Sequence, residues 1–311
     1  YLKATTYENY LIYMEKHILS SSIANIDITK LTSKDLQVFY NEKLDSGLSN
    51  RTVRYIRTII GGALNQAEKN GMLSRKPNKA TILPPKENHE IIPLNIEEVN
   101  KILDEAKGSE FYPLLLLEMF TGLRKGEILG LCWSDIDFER NILTVKRNLC
   151  RIQMGIDSKS GKKNYEYRLL EPKTESSKRR IFLPENVMQI LKKHQNEQQI
   201  IREKNAEIYQ DRKLVFARSD GNYISPRQVL RIFHRILDNA GVRRCRFHDL
   251  RHTVASILLN EGEEMKVIQE LQELLGHSTI TTTMDVYSHL SDQKKRNTSN
   301  KLAQVYEIGE K

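Results

Sequence analysis

Two arginines, two histidines and a tyrosine, set in three short segments, carry the side-chain types needed to work on an anion. The first segment is Thr121-Gly-Leu-Arg-Lys-Gly-Glu127, in which a helical pattern breaks at Gly122 and resumes at Lys125. Arg124 at such a helix start suits an anion, because unpaired backbone N–H groups and the guanidinium act together. Alone, the segment reads more readily as an ordinary surface arginine. The second segment is Arg246-Phe-His-Asp-Leu-Arg-His252, whose spacing puts His248 and Arg251 on one face of a helical turn. The third joins Leu275-Gly-His277 to Thr283-Met-Asp-Val-Tyr287, with Gly276 as a helix stop. A lone tyrosine is usually a core or rim residue. The combination is what points to chemistry: an anion clamp, proton-transfer groups and a nucleophile.

His248 and His252 also make a His-x-x-x-His pair, which invites a metal reading. Zinc proteases place Glu directly after the first His, whereas here it is Asp249, and only the distant His277 offers a third ligand. No metal is expected. Donor and cationic groups on one face suit a phosphate better.

The elements that must position these groups are mostly helices. Residues 6–20 show helical spacing, and Thr32 with Asp35 offers a cap for a second helix that Gly47-Leu-Ser49 ends. Ser49 or Asn50 opens a third, with Val53, Ile56, Ile60, Leu64 and Ala67 on one stripe. Arg51, Arg54 and Arg57 recur every three residues on a neighbouring face. They read either as a solvated face or as a helix laid along a phosphate backbone. Pro77, Pro84 and Pro85 with Lys86 read as a linker. Beyond it, Asn95 caps a helix with Glu98, an apolar helix covers about 111–120, and Asn141 to Lys146 has strand composition. Leu149 to Met154 and Tyr165 to Leu170 form a hairpin pattern, and Arg180 to Leu183 a short third strand. Ser225-Pro226 starts a clear helix. The expected fold is mainly α: a helical N-terminal domain over 1–86, then a mixed, mostly helical domain with a small antiparallel sheet over 87–311.

Length and charge agree with this outline. The 311 residues suit two domains. Residues 1–86 hold 13 basic and 7 acidic side chains, net +6, and the other 225 hold 36 and 33, net +3. A modest basic excess of this kind is compatible with nucleic-acid binding without requiring it. The most apolar run, Leu114 to Leu117, is interrupted by Glu118, so no membrane span is expected. Cys132, Cys150 and Cys245 are isolated, which excludes a disulfide framework and fits a reducing cytoplasm. The first residue is Tyr1, which suggests that a longer N-terminal region was removed.

The motifs resemble those of the tyrosine recombinases, or phage integrases. Thr121-Gly-Leu-Arg124, Glu127, Pro172-Lys173-Thr174 with Ser177 and Arg180, His248-x-x-Arg251-His252, Leu275-Gly-His277 and Tyr287-Ser-His-Leu290 follow in that family's order. Gly47-Leu-Ser49 and Thr52-Val-Arg54 resemble its helical core-binding domain, and the whole is most like integrases of phages and conjugative transposons. Two departures stand out. Gln269-Glu-Leu271 is repeated as Gln272-Glu-Leu274, lengthening the stretch before His277 by about three residues, and residues 148–166 make an enlarged hairpin.

The resemblance implies a site-specific recombinase that integrates and excises a mobile element through a 3′-phosphotyrosine intermediate. Arg124 and Arg251 would clamp the scissile phosphate, and Tyr287 would attack with His248 as general base. Lys173 would protonate the leaving oxygen, and His277 would hydrogen-bond the phosphate. Glu127 would orient its neighbours. Arg51, Arg54, Arg57, Lys178 and Arg180 would bind DNA. No metal, ATP or other cofactor is implied. The implied partners are double-stranded attachment or transposon-end DNA, further copies of the chain in a tetramer joined by the tail after residue 290, and an excisionase or host DNA-bending protein. The implied location is the bacterial cytoplasm, at the nucleoid. The rivals are a type IB topoisomerase, which rejoins the same strand, and a non-catalytic DNA-binding regulator.

Overall fold

A computed structural model of the chain describes residues 4–86, 92–156, 163–171 and 178–261. These fall into two compact units. One takes 4–86 together with 152–156 and 163–165, and the other takes the rest.

In the first unit, α1 (Ala4–Tyr13) runs into a π-helical turn, Met14–Ile18, closed by Leu19 N–H on the Met14 carbonyl at 2.8 Å. The expected helix over 6–20 is therefore wound in two ways. Helix α2 (Ser33–Asp45) starts at a reciprocal cap: Thr32 Oγ1 accepts from the Asp35 N–H, and the Asp35 carboxylate accepts from the Thr32 N–H. Helix α3 (Asn50–Lys69) starts at Ser49, whose hydroxyl accepts from the Thr52 N–H. Val53, Ile56, Ile60 and Leu64 of α3 close on Leu36, Phe39 and Tyr40 of α2. Each such buried side chain contributes about 1.5–3 kcal/mol of transfer free energy.

The proline-marked stretch after α3 is not a free linker. Pro77–Ala80 forms a 3-10 turn with Pro77 and Asn78 buried. Ser33 donates to the Pro77 carbonyl at 2.6 Å, and Ile82 N–H donates to Gln37 Oε1 at 2.7 Å. Proline composition reports backbone stiffness, but side-chain donors on α2 and α3 decide where the stretch lies.

The second unit begins with α4 (Ile96–Ala106), capped reciprocally by Asn95 and Glu98, and α5 (Tyr112–Thr121), which Gly122 ends in the left-handed conformation at φ 55°. The short α6 (Lys125–Leu129) follows. Strands β1 (Ile136–Asp137), β2 (Ile142–Val145) and β5 (Arg179–Phe182) make an antiparallel sheet in the order β1-β2-β5, with Leu143 opposite Ile181 and Thr144 opposite Arg180. Strands β3 (Asn148–Ile156) and β4 (Lys163–Leu170) pair as a separate ribbon. Three helices complete the unit: α7 (Glu185–Lys204), α8 (Pro226–Asn239) and α9 (Asp249–Glu261). Ser225 caps α8 as its sequence predicts, accepting from the Gln228 N–H. One continuous core, including Leu114, Leu117, Leu143, Ile181, Phe233 and Leu250, joins these helices to the three-stranded sheet. Among the described residues no helix is long and apolar enough to cross a membrane.

Candidate active site

The site is built where α5 ends. Gly122 reverses the chain in a conformation that a Cβ disfavours, and the chain then enters α6 through Arg124. Glu127, one turn into α6, is almost fully buried. Its carboxylate accepts from the Arg124 backbone N–H at 3.0 Å, from Arg124 Nη1 at 2.8 Å and from Arg179 Nη2 at 3.0 Å. Burial alone would raise the Glu127 pKa, but the charges and hydrogen bonds of Arg179 and Arg124 outweigh it and the net shift is downward. Glu127 is thus an ionised anchor for two guanidinium groups.

Arg251 arrives from the first turn of α9, only 2% exposed, and its Nη1 donates to the Gly122 carbonyl at 2.7 Å. Its pKa is lowered, first by burial and then by the cations of Arg124 and Arg179, with Glu127 and Glu118 opposing. Three guanidinium groups from α6, β5 and α9 thus act on one another, with two carboxyl groups as counterweight. An incoming anion relieves that repulsion, which is the electrostatic condition for a phosphate clamp.

His248 lies immediately before α9. Its ring meets His252 edge-on, with centroids 5.3 Å apart. Its pKa falls well below the ordinary imidazole value, first through desolvation and then through His252, Arg251 and Arg124, although the residue still reaches solvent. At neutral pH the imidazole is uncharged and can accept a proton.

The sequence-predicted residues therefore divide. Arg124, His248 and Arg251 come together around α5, α6 and the start of α9. Lys173, His277 and Tyr287, with the repeated Gln-Glu-Leu stretch and the tail, lie outside the described residues. Lys178 is exposed and pairs loosely with Glu171 at 3.7 Å. Arg180 is exposed on β5, while its neighbour Arg179 points inward. Sequence reasoning missed Arg179 as part of the cluster. Strand alternation would have found it, because Ile181 must face the core and Arg179 shares its side.

In the first unit, Arg51 is exposed. Arg54 and Arg57 are half-buried and already committed: Arg54 Nη1 donates to the Pro84 carbonyl at 2.7 Å, and Arg57 Nη2 to the Asn78 carbonyl at 3.0 Å. Arg51 and Arg54 border a cleft of about 410 Å³ with Asn9, Tyr13, Thr52, Tyr55 and Thr58.

The chain is similar to known proteins over most of its length. Residues 93–294 match the model of the phage integrase family, and residues 1–44 match the phage integrase N-terminal SAM-like domain. The chain is 33% identical to the tyrosine recombinase XerC-like protein of Caldanaerobacter subterraneus, covering 98% of this chain and 79% of that one. It is 27% identical to the ICEBs1 integrase of Bacillus subtilis, over 96% of this chain and 78% of the relative. In fold it is similar to the Tn1549 transposon integrase solved with transposon right end DNA, with a TM-score of 0.75 at 21% identity, covering 97% of this chain and 95% of that one. A lambda integrase dimer bound to a core site gives 0.61 at 19% identity, over 92% and 89% of the two chains.

Proposed function

We infer how the site works from one premise: this chain belongs to the phage integrase family, the tyrosine recombinases. It is accordingly a site-specific recombinase that breaks and rejoins DNA. The observation that carries the residue assignment is the convergence of Arg124, Arg179 and Arg251 on buried Glu127 and the Gly122 carbonyl, with a neutral His248 at the edge.

In this reading Arg124 and Arg251 bind the non-bridging oxygens of the scissile phosphate and stabilise the charge that grows on them as the pentavalent transition state forms. Glu127 holds Arg124 and Arg179 by charged hydrogen bonds, and the Gly122 carbonyl holds Arg251. The Tyr287 oxygen attacks phosphorus, its proton passes to His248, and the bond from phosphorus to the 5′-oxygen breaks. Lys173 gives that oxygen its proton, and His277 donates a hydrogen bond to the phosphate. One phosphoester bond replaces another, so exchange with the 5′-hydroxyl of a second strand needs no ATP and no metal. Residues 1–86 act as a core-type DNA-binding domain and 87–311 as the catalytic domain. Lys178 and Arg180 touch the DNA backbone near the site, and Arg51 touches it from α3, with Arg54 and Arg57 tethered beside it. The partners are duplex DNA at attachment or element-end sites and further copies of the chain, four on recombining DNA, with an excisionase or bending protein setting direction. The place of action is the cytoplasm, at the nucleoid.

The test uses nicked duplexes made from the DNA flanking the chain's own gene. After denaturation, wild type leaves a covalent protein–DNA adduct on a gel in the presence of a chelator and without ATP, and Tyr287→Phe leaves none. A persistent adduct mapped to Tyr306 would sink the assignment of Tyr287.

A further inference from the structure

Gly126 and Gly130 stand one turn apart on α6, directly behind Arg124. Glycine weakens a helix by about 1 kcal/mol relative to alanine, and α6 has only five residues. Neither glycine uses the left-handed freedom of its type, since Gly126 lies inside the helix and Gly130 has φ −97°. Close approach explains both. A Cβ on Gly126 would overlap Asn148 Oδ1 and stand 2.9 Å from Asn148 Cγ and 3.0 Å from the Leu149 carbonyl oxygen. A Cβ on Gly130 would stand 3.0 Å from the Leu149 nitrogen. Helix α6 therefore lies directly on the first two residues of β3. So short a helix has little stability of its own, and its position follows from what it lies on. That support is fixed on each side. Leu149 is buried in the core, Arg147 pairs with buried Asp135 at 3.1 Å, and Asn148 Nδ2 donates to Cys150 Sγ at 3.0 Å. Val145, three residues before Asn148, is the sheet partner of Arg179, and Arg179 reaches back to Glu127 of α6. The contact of Asn148 with Gly126 thus closes a ring through α6, the base of β3, β2, β5 and the Glu127–Arg179 ion pair.

We propose that Asn148 is a positioning residue of the phosphate clamp: its carboxamide, wedged against Gly126, sets the seat of α6 and so the place of Arg124 opposite Arg251. The proposal rests on the clamp reading above. Asn148 takes no part in the chemistry and acts through α6 alone. The two guanidinium groups of the clamp come from different elements, Arg124 from the start of α6 and Arg251 from α9. Arg251 is held separately, by the Gly122 carbonyl. A shift of α6 on its seat therefore changes the spacing of the pair without releasing either charge. Clamping of an extended transition state depends on that spacing, and a displacement of about 1 Å can cost about a hundredfold in rate. DNA affinity, spread over many phosphate contacts, depends on it far less.

The experiment measures adduct formation by the full chain on the nicked duplexes, at saturating DNA and below the melting transition of every variant. DNA affinity is measured separately by fluorescence anisotropy. Gly126→Ala drives a methyl group into the Asn148 carboxamide. It should bind DNA as wild type does, yet cleave about tenfold or more slowly. Asn148→Ala removes the wedge and should cleave about threefold or more slowly, again at unchanged affinity. The double variant puts the new methyl where the carboxamide stood, so it should cleave about threefold or more faster than Gly126→Ala. A merely structural contact would lower the melting points and leave the saturated rates alone. The proposal fails if either single variant cleaves at the wild-type rate, or if the double variant is no faster than Gly126→Ala. If Gly126→Ala does not fold, the rate of Asn148→Ala decides alone. No adduct from wild type overturns the clamp reading itself, whereas a wild-type adduct with silent variants overturns only the role of Asn148.

Discussion

The chain holds two sets of three arginines, and they are built on opposite plans. Arg51, Arg54 and Arg57 come from one helix at a spacing of three, and the donors of the last two close on backbone carbonyls of the stretch behind α3. Arg124, Arg179 and Arg251 come from three elements far apart in sequence and act on one another near one buried carboxylate. The first set can be read as a stripe from the sequence, yet its spacing says nothing about what already occupies it. The second set shows no spacing at all, and its meaning comes from mutual repulsion that an anion relieves. Shared residue type is therefore a weak guide. What distinguishes the clamp from the tether is that its guanidinium groups act on one another, whereas Arg54 and Arg57 are satisfied by the stretch behind α3.

The largest effect should come from the second set. Arg251→Lys keeps a charge but loses the planar fork. The transition state would lose a preorganised donor, so cleavage at saturating DNA should fall about 10²–10³-fold with little change in DNA affinity. Single-turnover adduct kinetics check this. A loss confined to affinity would put Arg251 in the same class as the α3 arginines and erase the contrast.

Glu127→Gln removes the ionised anchor while leaving Arg124 and Arg179 in place. Breaking a buried ion pair from one side should cost about 3 kcal/mol of unfolding free energy. The Glu127 pKa is depressed in the folded chain, so its contribution is present above the ordinary carboxylate range and is lost as pH falls through the folded value. Denaturant titrations at pH 7 and pH 4 should therefore differ less for Glu127→Gln than for wild type. An equal pH response in both proteins would show that Glu127 is not the charged hub.

The structural surprises lie in places where one local rule is followed too far. Arg179 and Arg180 are adjacent, and the four-residue β5 is too short to announce its phase without Ile181 and its partner Leu143. Glu118 reads only as an interruption of a hydrophobic run, because composition cannot show that α5 buries it completely. The π-helical turn at Met14–Ile18 escaped because its spacing is close to that of an α-helix. What could be read was what local chemistry decides: the Thr32 and Asp35 cap, the Asn95 and Glu98 cap, Ser225-Pro226, and the break at Gly122 that delivers Arg124. Each of these depends on residues within four positions. The clamp depends on pairs more than 50 residues apart, such as Glu127 with Arg179 and Gly122 with Arg251.

Arg57→Gln tests the tether. Its guanidinium donates to the Asn78 carbonyl and to Thr81 Oγ1, so losing both should cost about 2 kcal/mol, visible as an earlier melting transition. An unchanged melting point with weakened DNA binding would make Arg57 a phosphate ligand instead, and the two arginine sets would then differ less than their surroundings indicate.

The smallest effect belongs to Arg51. It is exposed at the mouth of the cleft lined by Asn9, Tyr13 and Tyr55. No hydrogen bond of its side chain is found among the described residues. Arg51→Gln should therefore leave the melting point alone, since an exposed substitution away from such features changes stability by about 0.5 kcal/mol or less. Its effect should appear in salt dependence. One phosphate contact contributes about −0.9 to the slope of log affinity against log salt, so the variant's slope should be shallower by about one unit on any duplex, whatever its sequence. A fluorescence-anisotropy titration on a random duplex over a range of salt measures it directly. A slope identical to that of wild type would take Arg51 off the DNA. The basic character of α3 would then belong to the fold of the first unit, through Arg54 and Arg57, and the N-terminal charge excess would have to meet DNA through another face.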